Sequence, residues 1–323
     1  MTEKQLLAVV GATGAQGGGL VSAILADPDP QFAVRALTRN PRSSAAQALA
    51  AAGAEVVAAD LDDKASIRHA FTGAYGAYVV TNYWAPRSPL DEAGRTRGEA
   101  ELAQANTAAR AAKDANLAHV IWSTLEDTRV HFGDGGRIPT LEGRYKVPHF
   151  DAKAEANRFF LSYDVPTTFL QTTFYFEGFL HGPGPARNTN GALALRIPMA
   201  DQPLAGIAVD DIGKTALGIF KQGTQAVGTT VSIAGDHLTG KQYAAAFAEA
   251  LDEPVRYLPP SFDEFRAGDN PGAVEMANMF QFYAEDAERF TKVRDLVRVR
   301  QLNPQLQSFP QWLHAHVDEL HVG

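Results

Sequence analysis

The stretch Leu6–Leu25, LLAVVGATGAQGGGLVSAIL, decides the reading of the whole chain. Leu6 to Val10 is an apolar run of the kind that forms a strand buried on both faces. Gly11, Gly14 and Gly17 follow directly at G-x-x-G-x-x-G spacing. The first glycine allows a tight turn out of the strand, the second lets a diphosphate approach the backbone, and the third lets the next helix pack close to the sheet. That helix would aim its unpaired N–H groups and its positive dipole end at phosphate. Gly17, Gly18 and Gly19 stand together where the helix should begin, although glycine costs about 0.8–1 kcal/mol against alanine in a helix interior. A helix selected for stability alone would not carry them there. The competing reading is an ordinary glycine-rich turn, and what lowers it lies downstream. The candidate phosphate contacts are Gly11, Thr13, Gly14, Gln16 and Gly17.

Bulk properties narrow the classes. With 323 residues, 45% of them hydrophobic, the chain has the material for a large core and about two domains. The formal net charge of -8 implies no broad basic face and disfavours direct nucleic-acid binding. With no cysteine there is no disulfide, no thiolate metal site and no thiol switch. The opening MTEKQLLAVVGA superficially resembles a short signal sequence, but its apolar run leads straight into the glycine motif, so it reads as the first strand. No apolar stretch is long enough to span a membrane, and the expected location is cytoplasmic.

Strand-like and helix-like runs alternate through the first half, the pattern of a parallel α/β sheet. Strands are expected at 32–38, 55–59, 75–81, 119–124 and 167–171, with helices at 44–52, 63–71, 91–116 and 150–163. A long loop, 126–148, carries Gly133, Gly135, Gly136, Pro139 and Gly143; loops of that length in compact domains are usually functional or mobile. The connector HGPGPARNTN, His181 to Asn190, marks a composition shift. Beyond it come a helix within 206–220, a strand at 229–233, a helix at 241–251, an extended piece at 255–258, and helices at 261–266, 273–290 and 309–320. The expected fold class is α/β: a Rossmann doubly wound parallel sheet with a smaller C-terminal α+β domain. Residues 1–178 and about 202–235 form the first part, and about 179–201 and 236–323 the second. The pocket for a small-molecule substrate is expected between the two parts, at the carboxyl edge of the strands.

The second strand ends Leu37-Thr38-Arg39-Asn40-Pro41-Arg42. An acid at this position accepts hydrogen bonds from the ribose 2′-hydroxyl of NAD, whereas an arginine accommodates the 2′-phosphate of NADP. Arg39 lies 22 positions after Gly17, near the offset this reader occupies. The expected cofactor is therefore NADP(H), held by Arg39 with Arg42 close by. Asp60 and Leu61, at the end of the third strand, could read the adenine edge, or the run into Asp62-Asp63 could simply start a helix. Thr81, Asn82 and Tyr83 follow the fourth strand and would flank the middle of the cofactor.

GATGAQG, LTRNPR, VTNYW, WSTLED and HFDAK together resemble the NmrA-like family of atypical short-chain dehydrogenases/reductases, most closely its HSCARG-type redox-sensor subgroup. The resemblance extends to Asn278-Met279-Phe280-Gln281-Phe282-Tyr283 and Leu302-Asn303-Pro304. It implies NADP(H) on an N-terminal Rossmann domain, Arg39 at the 2′-phosphate, Asn82 and Tyr83 beside the cofactor, Lys153 near the nicotinamide ribose, and Tyr175, Phe176 and Glu177 near the nicotinamide end. The departure is in the proton-handling group. Active short-chain dehydrogenases pair a serine or threonine with Tyr-x-x-x-Lys, the lysine lowering the phenol's pKa. Ser123, Thr124 and Lys153 are present, but the tyrosine position is His149. An ammonium beside an imidazole disfavours the imidazolium, so His149 would be a poor acid at neutral pH. Tyr145, Tyr83 and Tyr175 are other candidate proton sources, and Tyr83 and Tyr175 read more simply as stacking or packing residues. No metal site is expected.

These readings imply a redox-ratio sensor or regulator with a regulatory protein partner. The alternative is an NADPH-dependent oxidoreductase of a small carbonyl, enal or quinone, with Lys153, Ser123, Tyr145 and His149 as the candidate catalytic set. A scaffold merely stabilised by nucleotide is the third reading.

Overall fold

The computed structural model describes residues 4–269 and 271–322. In chain order the elements begin β1 (Gln5–Val9), α1 (Ala15–Leu25), β2 (Phe32–Thr38), α2 (Ser44–Ala51), β3 (Glu55–Ala58), α3 (Lys64–Phe71) and β4 (Gly76–Val79). They continue with α4 (Pro89–Gly94), α5 (Arg97–Asp114), β5 (His119–Thr124), α6 (Thr128–Phe132), α7 (Pro148–Ser162), β6 (Thr167–Gln171), β7 (Phe174–Tyr175) and α8 (Gly178–His181). Next come β8 (Ala186–Arg187), β9 (Leu193–Leu195), β10 (Pro203–Ile207), α9 (Val209–Lys221), β11 (Thr230–Ser232), β12 (Asp236–Thr239), α10 (Gly240–Leu251) and β13 (Val255–Tyr257). The last helices are α11 (Phe262–Arg266), α12 (Ala273–Glu285), α13 (Ala287–Val293), α14 (Leu296–Leu302) and α15 (Phe309–His316).

The chain forms two compact units. The first takes residues up to Glu126, His149–Gln171 and Ile212–Val231. It holds a seven-stranded sheet in the order β11-β6-β5-β4-β1-β2-β3, with parallel pairing from β3 through β6. The order reverses at β1 and β4, which makes their carboxyl ends the switch point of a doubly wound sheet. This is the Rossmann arrangement that the alternation of runs predicts. One face is filled by Ile67, Phe71, Leu102, Ala105, Ala108, Trp122, Phe160 and their neighbours from α3, α5, α7 and the strands. On the other face α1 and α9 approach so closely that a Cβ on Gly213 would stand 2.8 Å from the Gly19 carbonyl oxygen. The consecutive glycines of α1 thus serve a backbone-to-backbone helix contact as well as the turn.

Two expected helices are interrupted. The run 91–116 breaks after Gly94, because Thr96 starts a new helix as N-cap: its side chain accepts from Glu99 N and the Glu99 carboxylate accepts from Thr96 N. The run 273–290 divides at Asp286 into α12 and α13. The strand β10 and the helix α14 were not anticipated; the Gly206–Phe220 segment was read for its helix alone.

The second unit comprises Asp127–Pro148, Thr172–Asp211 and the residues from Ser232 on. It contains two three-stranded sheets, β12-β10-β7 and β13-β9-β8, and most of the late helices. The sequence pattern assigns 127–148, 172–178, 202–211 and 232–235 to the first part instead. The physical reason for the difference is visible at 127–148, which is tied to α12: Asn278 Nδ2 donates to Lys146 O at 2.7 Å and to Pro139 O at 3.2 Å. His131 Nε2 and Arg137 Nη1 lie 2.9 and 2.7 Å from the Glu285 carboxylate. A stretch that reads as a long open loop is therefore strapped down and contains α6. No helix among the described residues is long and apolar enough to cross a membrane.

Candidate functional site

The turn after β1 has the geometry its glycines suggest. Gly11 adopts φ +66°, a conformation that side chains rarely tolerate, and its carbonyl accepts from Gly14 N at 2.8 Å. Gly14 is the N-cap of α1 and supplies no side-chain cap, and the first turn holds no acidic residue. Gly11, Thr13, Gly14 and Ala15 are exposed. The start of α1 thus has no side-chain cap and no acid beside it, a setting compatible with an anion at the helix N-terminus. Gln16 serves the loop from below: its Oε1 accepts from Ser123 Oγ at 2.8 Å and from the Tyr78 hydroxyl. This ties the loop to the ends of β4 and β5, and it occupies the Ser123 hydroxyl proton.

At the end of β2, Arg39 and Arg42 are exposed. Neither guanidinium has a carboxylate within ion-pair distance among the described residues. Arg35, in the same strand, shows the contrast: it pairs with Glu55 at 2.9 Å and donates to Ala70 O and Thr72 O. One arginine of the strand is built into the structure, and the next points to solvent at the switch-point edge. Asn40 Oδ1 accepts from Arg42 N at 3.1 Å and shapes the turn between the two arginines. Beyond β3, the Asp60 carboxylate accepts from Asp62 N, while the cap of α3 is Asp63, which accepts from Ala65 N and Ser66 N. The helix-start role thus belongs to Asp63. Leu61 is half-buried beside it.

The most built part of the site surrounds Lys153. Asn157, one turn further along α7, accepts from both Trp122 Nε1 and Thr124 Oγ1 at 2.9 Å, which fixes the helix against β5. Lys153 Nζ then reaches Thr81 O at 2.8 Å and Thr81 Oγ1 at 2.7 Å. It also lies 3.0 Å from Oε2 of Glu101, a residue only 2% exposed on α5. Sequence reasoning missed Glu101, yet a signal was available. It stands four and seven residues before Ala105 and Ala108, on the stripe of α5 that faces the core. A lone acid on an apolar stripe asks for a partner.

His149 is 9% exposed and packs against Tyr83, Trp84 and Phe150, with ring centroids 5.9, 5.4 and 4.9 Å away. Tyr83 is buried, Asn82 is exposed with its side chain accepting from Trp84 N, and Trp84 is 47% exposed. Arg97 holds this segment through the carbonyls of Tyr83 and Ala85. The structure thus brings Gly11, Gly14, Gln16, Gly17, Arg39, Thr81, Ser123, His149 and Lys153 together within one unit, mostly at strand ends.

The remaining candidates belong to the second unit. Tyr145 is buried, its hydroxyl accepting from Arg144 Nη2 at 2.7 Å, with Arg129 and Arg144 over its ring. Phe176 is fully buried against Phe309 and Trp312. Glu177 accepts from Val209 N at the start of α9 and from Trp312 Nε1. Burial pushes its carboxyl up, against those hydrogen bonds. Tyr175 is half-buried. Among the described residues, no cluster of histidine, aspartate and glutamate could hold a metal ion.

The family model described as NmrA-like matches residues 3–309. The chain belongs to the NmrA-like family. It is 30% identical over 263 residues to the NmrA-like family domain-containing oxidoreductase malD of Malbranchea aurantiaca, covering 80% of this chain and 76% of that protein. Among solved NmrA-like and related folds, the negative transcriptional regulator Nmra in complex with NADP superimposes with a TM-score of 0.75 at 22% identity, over 98% of this chain and 97% of that one. The NADPH-dependent quinone oxidoreductase QOR2 of Escherichia coli, complexed with NADPH, gives 0.70 at 21% identity, over 97% and 99%. At these identities the two structures establish that the NmrA-like fold is shared.

Proposed function

We propose that this NmrA-like protein binds NADP(H) and reports or uses its redox state without the tyrosine acid of active short-chain dehydrogenases. One observation carries the cofactor reading: an α1 N-terminus without a side-chain cap and an Arg39 with no carboxylate partner among the described residues stand at the same sheet edge. Helix N–H groups take the diphosphate, and the guanidinium fork takes the additional ribose phosphate through charge-assisted bonds. The Nmra and QOR2 structures, solved with NADP and NADPH, support the same assignment. The bound cofactor would supply or accept a hydride. Calorimetric titration with NADP+, NADPH, NAD+ and NADH tests the reading, and tighter binding of both phosphorylated forms is the expected result. Failure of either phosphorylated form to bind would remove it.

A role as a sensor of the NADP+/NADPH ratio is favoured by how thoroughly the proton-handling groups are engaged. Ser123 is bonded to Gln16, Lys153 to Thr81 and Glu101, and His149 is packed among aromatic rings. A sensor of this kind acts through a regulatory protein partner. Cofactor-dependent protection of 127–148 from protease, without turnover, is the expected signature.

Trp84 favours a second reading. Its half-exposed indole beside His149, one helical turn before Lys153 on α7, offers an aromatic face suited to a flat conjugated acceptor such as an enal or a quinone. Hydride transfer to such an acceptor needs less help from an enzyme acid, and malD is named an oxidoreductase. Steady NADPH consumption with a panel of quinones and enals, lost in Lys153→Ala, would establish the reductase over the sensor.

A further inference from the structure

We infer that the Glu101–Lys153 pair sets how the site weighs oxidised against reduced dinucleotide, with Glu101 as a positioning residue that cancels the ammonium charge. The inference rests on the cofactor reading above, in which Lys153 borders the nicotinamide ribose.

An ammonium has three N–H donors. In Lys153 they meet Thr81 O at 2.8 Å, Thr81 Oγ1 at 2.7 Å and Glu101 Oε1 at 3.2 Å, with Glu101 Oε2 at 3.0 Å completing the ion pair. The lysine is therefore aimed by three fixed acceptors and has no donor left over without rearrangement. Both charges are withdrawn from water: the Lys153 and Glu101 side chains are 11% and 3% exposed. The apolar surroundings, with the Trp122 ring 5.7 Å from Nζ, do little to screen either charge. Together they present almost no net charge to the end of β4, where Thr81 leads into Asn82 and Tyr83.

The two redox forms differ in charge where it matters. The nicotinamide ring is a cation when oxidised and neutral when reduced, so a net charge beside it acts on the oxidised form alone. At the effective dielectric of a protein site, a unit charge several ångströms away changes affinity by roughly an order of magnitude. A lone Lys153 ammonium would penalise NADP+ and spare NADPH. By neutralising it, Glu101 keeps the oxidised form competitive, which a reader of the ratio requires and a dedicated NADPH consumer does not.

The test is the ratio of the NADP+ and NADPH dissociation constants, measured by calorimetry on full-length protein, with thermal unfolding as the check on folding. At mildly acidic pH, Glu101→Gln should shift the ratio about tenfold toward NADPH. Glu101→Asp, which keeps the charge, should hold the wild-type ratio even if both affinities fall. Lys153→Met should move the ratio the opposite way, so one unfolded variant does not end the test. The neutral double variant Glu101→Gln with Lys153→Met should return to the wild-type ratio. Equal changes for both redox forms in the single variants would overturn the inference while leaving the cofactor reading intact. A wild-type protein that binds neither form would remove both.

Discussion

Gly17 lies so close to Gly11 that a Cβ added to it would stand 2.7 Å from the Gly11 carbonyl carbon. The same Cβ would be 2.8 Å from the Val10 carbonyl oxygen, so the obstacle is backbone and cannot rotate away. Gly17→Ala should push α1 off β1, costing about 1–3 kcal/mol of stability as overpacking does. It should also weaken NADP(H) by more than tenfold, because the N–H groups of α1 move with the helix. Thermal unfolding and calorimetric titration measure the two effects, and an alanine variant with wild-type affinity would contradict the close packing.

On the proposed cofactor reading, Arg39 carries the choice between NADP(H) and NAD(H). Its guanidinium is exposed and has no carboxylate partner among the described residues, so removing it breaks nothing in the protein. Arg39→Ala should leave unfolding unchanged and weaken NADPH by roughly ten- to a hundredfold, the range of one charge-assisted contact, while sparing NADH. Equal losses for the two cofactors would show that the arginine does not read the extra phosphate.

His119 predicts an acid-sensitive sheet. It is fully buried in β5, its ring 5.1 Å from that of Phe220, and burial pushes the imidazole down to about 4. The Thr168 hydroxyl donates to Ala226 O at 2.7 Å, so His119 Nε2, 2.8 Å from that hydroxyl, must be the donor between them. That makes the native residue the neutral Nε2–H tautomer. The unfolded chain takes up this proton near pH 6.5 and the native state only near 4. Stability from this group is complete above the higher value and falls away as pH drops toward the lower one, by about 3 kcal/mol in all. Urea unfolding across that interval should show the slope, and His119→Gln should flatten it.

Asn278 should control how open the 127–148 segment is. Its amide donates to the carbonyls of Lys146 and Pro139, and Asn278→Ala removes both bonds at a cost of about 1–3 kcal/mol. Limited proteolysis should then cut within 133–147 several-fold faster at unchanged cofactor affinity. Cleavage at the wild-type rate would mean that Glu285, through His131 and Arg137, is sufficient to hold the segment.

What the sequence disclosed follows from where information is local. The glycine spacing, the strand ends at Arg39 and Thr81, and the sequence around His149 and Lys153 are each readable within a few residues, and so is the doubly wound sheet. The partner of Lys153 was not, because Glu101 sits in a helix whose composition reads as solvated unless its alanine stripe is traced. Gln16 beneath Ser123 joins residues 107 positions apart, and no local pattern announces that contact. The strapped segment looked open for a similar reason: its glycines are visible, whereas Asn278 and Glu285 that restrain it lie far along the chain.

The unit built on the seven-stranded sheet takes its residues from three separated stretches of chain, the last being Ile212–Val231. Its outermost strand, β11, pairs with β6 only after the intervening residues have been made. During synthesis the sheet therefore waits on a late arrival, exposing one side of β6 in the meantime. No single cut releases this half intact, because its three stretches are interleaved along the chain with those of the second unit.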